Sequence, residues 1–116
     1  MAQGIGDLTS GAMVWLDALD DAPGILVQTG NTILLAYEVD NTTAADAHVQ
    51  CFNAAALVDV TLGTTAPNYV IHSVANGNAR QSFIIPPLFP LGLCVFSTTT
   101  STGSSAAIQD VSIVYA

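Results

Sequence analysis

Residues 24–53 read GILVQTGNTILLAYEVDNTTAADAHVQCFN, and their pattern decides the fold. Gly24–Gln28 is a short apolar run stopped by Thr29-Gly30-Asn31, a tight-turn sequence. From Thr32 to Asp40 the residues alternate. Ile33, Leu35, Tyr37 and Val39 fall on one face, and Leu34, Ala36, Glu38 and Asp40 on the other. A period of two predicts a half-buried strand, because successive side chains of an extended backbone point to opposite sides. Asn41–Asp46 is a polar turn. Ala47–Asn53 is a further strand, with Val49 and Cys51 opposed to His48, Gln50 and Phe52.

The rest of the chain repeats this grammar. Ala54–Leu57 is ambiguous, since alanine favours helix over strand. Asp59–Leu62 (DVTL) predicts a short strand closed by Gly63 and Pro67, and Asn68–Ala75 predicts the next. Asn76-Gly77 supplies both positive-φ residues of a type I′ hairpin, so residues 79–85 are expected to return beside 68–75. Pro86-Pro87-Leu88-Phe89-Pro90 cannot be a central strand, because proline has no N–H to donate. Leu91–Ser97 is a strand, Thr98–Ser105 a hydroxyl-rich loop, and Ile108–Tyr115 a last strand with Val111, Ile113 and Tyr115 inward. About seven or eight short strands with no helices between them predict an all-β fold: an antiparallel β-sandwich, jelly-roll-like, over residues 23–116. Residues 1–22 read as an N-terminal arm. Within it, Ala12–Leu19 fits either one or two helical turns or an extended segment with a bend. The arm carries Trp15 and Leu16, candidate anchors for docking on a neighbour.

Composition restricts function. The 116 residues make one domain with a single cation, Arg80, against nine carboxylates, for a net charge of -8. A nucleic-acid partner needs cations to displace phosphate counterions, a peripheral membrane protein needs a basic face, and a phosphate site needs a lysine. Neither nucleic acid nor membrane is therefore an expected partner. The chain is 51% hydrophobic and only 9% charged, where an ordinary soluble domain carries roughly 25% charged residues. Apolar area left at the surface predicts self-association. No basic leader and no long apolar run follow Met1, so synthesis in a cytoplasm is expected.

Signals for chemistry are thin. His48 and His72 lie within strands, and a pairing of Ser73 or Cys51 with either carries little information in so hydroxyl-rich a chain. His48, His72, Cys51 and Cys94 lack the close pairs of a zinc site. Asp17, Asp20 and Asp21 lack the spacing of a calcium loop. No catalytic residue, metal ligand or cofactor is assigned. The two cysteines read as buried free thiols. Arg80 is either a solvated arginine or one half of an ion pair that sets register at a subunit seam. Leu88 and Phe89, held between prolines, form either an interface anchor or a loop folded over one end of the sandwich.

Asp59-Val60-Thr61-Leu62-Gly63-Thr64-Thr65-Ala66-Pro67, followed by Phe96-Ser97-Thr98-Thr99-Thr100-Ser101-Thr102-Gly103, resembles small β-sandwich proteins on the virions of tailed bacteriophages, in particular capsid decoration (cement) proteins. The resemblance spans roughly residues 24–115 and carries no catalytic residues. It implies a structural virion protein on the capsid surface, a homotrimer whose partner is the major capsid protein. A tail, neck or fibre subunit is the alternative within the same class. A carbohydrate-binding module is a further one, with Trp15 and Tyr69 as its only platform aromatics.

Overall fold

A computed structural model describes the backbone of residues 12–19 and 24–116, and the side chains of residues 24–116. The described residues form nine strands: β1 (Ala12–Leu19), β2 (Ile25–Thr29), β3 (Thr32–Asp40), β4 (Ala47–Asn53), β5 (Tyr69–Ser73), β6 (Asn78–Ser82), β7 (Leu88–Phe89), β8 (Gly92–Thr98) and β9 (Gln109–Tyr115). Every pairing between them is antiparallel. One sheet runs β1-β9-β3-β6, with β7 also on β3, and the other runs β2-β8-β4-β5. Apart from β4–β5 and β6–β7, each link between consecutive strands crosses from one sheet to the other. That strand order is the jelly-roll winding of a β-sandwich.

Ala12–Leu19 is extended and pairs along β9, with Trp15 opposite Ser112 and Leu16 opposite Val111. This resolves the choice between helical turns and extended backbone. The side chains of Trp15 and Leu16, and residues 1–11 and 20–23, lie outside the described residues.

Both sheets contribute to the core. Leu34, Val39, Phe89, Val111 and Ile113 meet Val49, Cys51, Ile71, Leu93 and Val95 between the layers. The expected alternation holds for β9 and for the second half of β3, but fails in its first half. A bulge between Leu34 and Ala36, where the register against β9 shifts, puts Leu34 in the core together with Val39. One extra residue resets the face of everything after it.

A second apolar cluster covers the outer face of the β2-β8-β4-β5 sheet. Phe52, Ala54, Cys94 and Phe96 pack there under Leu57, Val60 and Leu62 of the 54–68 loop. The predicted DVTL strand belongs to this cover: Leu57–Asp59 is one 3-10 turn, followed by a hydrogen-bonded turn from Thr61 to Thr64 and Thr65. Its apolar residues cap Phe52 and Phe96 instead of joining a ladder. The cysteines are free and buried on opposite faces of this sheet, Cys51 inward and Cys94 outward.

Asn76-Gly77 is not a hairpin turn. β5 and β6 belong to different sheets, so residues 74–77 cross between layers. Only Asn76 takes positive φ, at 54°. The Gly77 N–H donates to the Val74 carbonyl and the Asn76 N–H to that of Thr43.

Candidate functional site

The most exposed apolar groups sit where the edge beside β3 breaks. β6 pairs with Ala36–Asp40 of β3, and β7 with Thr32 and Ile33. Between them the Phe83 N–H donates to the Leu35 carbonyl, and the Leu34 N–H to that of Pro87. Residues 84–86 stand off β3 between these two bonds. Ile84 is 98% exposed and Ile85 87%; Leu88, at 67%, continues the patch. The proline pair is the cause. Pro86 and Pro87 offer no N–H, and the residue before a proline is held extended, so the strand cannot run through. Each isoleucine would gain about 1.5–3 kcal/mol on full burial.

Phe89 corrects the expectation for this loop. It is 1% exposed and belongs to the core, because β7 lies on β3 and turns alternate residues in and out. Leu88 faces out and remains a contact candidate; Phe89 does not. Beside them is a hollow of about 300 Å3 lined by Asn31, Thr32, Ile33, Leu88, Phe89, Pro90 and Ala116. Residues 81–109, which include the tip and three of the seven lining residues, contain no Asp, Glu, Lys, Arg or His. Sequence reasoning missed Ile84 and Ile85 by continuing the strand to residue 85. Two apolar residues directly before a proline pair were the available signal.

Arg80 lies directly opposite Glu38 across β6 and β3, and its Nη2 donates to Glu38 Oε2 at 2.7 Å. Both side chains are exposed, so the pair contributes at most about 1 kcal/mol. The chain's one cation is thus engaged within its own sheet.

A polar cluster occupies the other sheet. His48 and His72 are cross-strand partners, their rings stacked with centroids 4.8 Å apart. His72 Nε2 is 3.1 Å from Asp46 Oδ2, and Asp46 Oδ1 accepts the Ala75 N–H. That backbone N–H, and then His72, hold the Asp46 carboxyl below its usual range. Burial, and then the neighbouring His72, lower the His48 pKa. Ser73 points inward from the next strand position and hydrogen-bonds Gln109, so it is not joined to this pair. Cys51 is also inward, its thiol pushed up to about 12 by burial, which removes it as a nucleophile. Among the described residues, no three His, Cys, Asp or Glu side chains converge on a metal position.

With this geometry in hand, comparison with known proteins finds that no family model matches the chain and that no curated protein is significantly similar to it.

Proposed function

We propose that this jelly-roll chain is a structural virion protein, a capsid decoration or cement protein on the head of a tailed phage. It is made in the host cytoplasm and binds the major capsid protein as a homotrimer, bridging neighbouring capsomers. The observation that carries this reading is the uncharged apolar edge Ile84–Ile85–Leu88 on an acidic, lysine-free sandwich. Such an edge suits permanent protein contact, since large exposed apolar patches are kept where a partner covers them. The resemblance of the 59–67 and 96–103 segments to virion-surface proteins points the same way. The role is one of cohesion and not of catalysis.

Attachment is assigned to the N-terminal residues and to Leu88. Labelling of intact particles with an antibody to this chain tests the location: signal spread over the head is expected. Signal confined to one vertex or the tail would move the protein to the neck, tail or fibre. Attachment is tested by removing residues 1–11, which spares the β1–β9 pairing, together with Leu88→Asp, with sedimentation of each variant used to separate lost head binding from lost self-association. Head binding should then fall at least tenfold, and undiminished binding overturns this assignment.

A further inference from the structure

We propose that the Ile84–Ile85 tip of one chain seats in the Ile33–Phe89–Ala116 hollow of a second copy. This inference rests on the self-association in the reading above, and not on capsid attachment. Tip and hollow are two parts of the same edge, joined at Leu88, which is exposed beside the tip and also lines the hollow. One part is an apolar projection and the other an apolar recess, so each copy carries both halves of a contact.

Charge narrows the occupant. Every copy carries a net charge of -8 and a single arginine, already paired with its own Glu38. Two copies have no cations to spare for each other's carboxylates. They can approach closely only where neither is charged, and residues 81–109 supply such a surface. A basic partner would be drawn instead to the carboxylates elsewhere on the molecule. Backbone chemistry narrows the mode of contact. Pro86, Pro87 and Pro90 remove the N–H groups that a partner strand would need at this edge, so the contact is made by side chains and not by sheet extension. The hollow has the volume of a small-ligand pocket. Of its seven lining residues only Asn31 and Thr32 have polar side chains, and the Thr32 hydroxyl is already engaged by Gln28 and Gly30, so aliphatic side chains fit its chemistry. Because tip and hollow are separate surfaces, the contact is reciprocal in a two-fold pair and head-to-tail in a closed ring.

The test uses the purified full chain. Sedimentation velocity over a concentration series should show a closed oligomer for the natural sequence. Ile84→Asp/Ile85→Asp should sediment as a folded monomer whose melting temperature no longer depends on concentration, since both side chains are exposed and none of the core is altered. Chains carrying Ile85→Cys are then mixed with size-tagged chains carrying Asn31→Cys, under oxidising conditions. Asn31 is an exposed residue of the hollow, and the natural cysteines are buried. A disulfide joining the two differently sized chains is expected. A natural chain that is monomeric at every concentration overturns the inference. So does cross-linking between Ile85→Cys chains alone, which would mean that tips meet tips. Head labelling can fail while these cross-links form, and the reverse, so the two readings stand or fall separately.

Discussion

At the scale of single residues, His48 is the group whose chemistry is most exposed to conditions. Its ring stacks on His72, contacts the Thr99 backbone, and leaves Nδ1 buried without a partner among the described residues. Two places along the same strand face, Gln50 Nε2 donates to Thr98 Oγ1 and to the Gly103 carbonyl, holding the 99–105 loop down. Because burial and His72 depress the His48 pKa, the unfolded chain binds a proton more readily than the folded one. Stability is therefore full above pH ~6.5 and falls as pH drops from there toward the folded-state pKa. Asp46 acts in the same direction. Its carboxyl is held low, so its contribution is present above the unfolded value and is lost only in a more acidic window. Melting temperatures between pH 8 and pH 5 should fall on acidification, and His48→Phe should flatten that fall. The variant keeps a ring on His72 but cannot titrate. At pH 8 it should alter stability by no more than about 1 kcal/mol, since the Nδ1 it removes has no hydrogen-bond partner among the described residues. An equal acid dependence in the variant would remove His48 as the cause.

Among the elements, the sheets are joined by more than apolar contact. Gln109 at the start of β9 reaches across the sandwich. Its Nε2 donates to Ser97 Oγ at 2.7 Å and to the His48 carbonyl at 3.2 Å, while its Oε1 accepts from Ser73 Oγ. One amide thus links β9 to β4, β5 and β8. All three side chains are buried, so removing the amide strands the Ser97 hydroxyl, while Ser73 keeps the Ala47 carbonyl as acceptor at 3.3 Å. Gln109→Leu should destabilise by about 2 kcal/mol in urea unfolding, with an unchanged slope. Adding Ser73→Ala and Ser97→Ala should recover part of that loss, because both ends of each side-chain bond are then apolar. A single variant within about 0.5 kcal/mol of the natural chain would contradict the clamp, since that is the scale of an ordinary surface change. None of this was readable beforehand: a glutamine at the head of a strand looks like any edge polar residue. What local pattern did reveal was periodicity, as in Val111, Ile113 and Tyr115. It could not reveal partners. Asn76-Gly77 has the composition of a hairpin turn, yet its flanks lie in different sheets. The alternation of Thr32–Asp40 was real, but a bulge reset it at Leu34. The DVTL segment looked like a strand because a loop that covers an apolar face needs the same residues as a strand that builds one.

For the molecule as a whole, jelly-roll winding gathers residues that the sequence keeps apart. It sets the uncharged 81–109 run at one edge and over the centre of the second sheet, and leaves the carboxylates to the remaining surface. The contact proposed at residues 84–85 and the ion-pair seam that Arg80 once suggested then make opposite predictions about salt. Two like-charged copies repel at a distance, and ions screen that repulsion, with a Debye length that falls from about 30 Å at 0.01 M to about 3 Å at 1 M. An uncharged contact gains from this screening and has no attraction of its own for salt to weaken. An arginine–carboxylate seam would lose attraction over the same range. Self-association of the natural chain, followed by sedimentation from low to high sodium chloride, should therefore strengthen with salt. Arg80→Gln should raise the net charge to -9, weaken association modestly at low salt through added repulsion, and match the natural chain at high salt, where the repulsion is screened. Association that weakens as salt rises would place a charged pair in the seam. Since Arg80 is already held by Glu38 at 2.7 Å, that outcome would require the arginine to exchange an internal partner for one on the neighbouring copy.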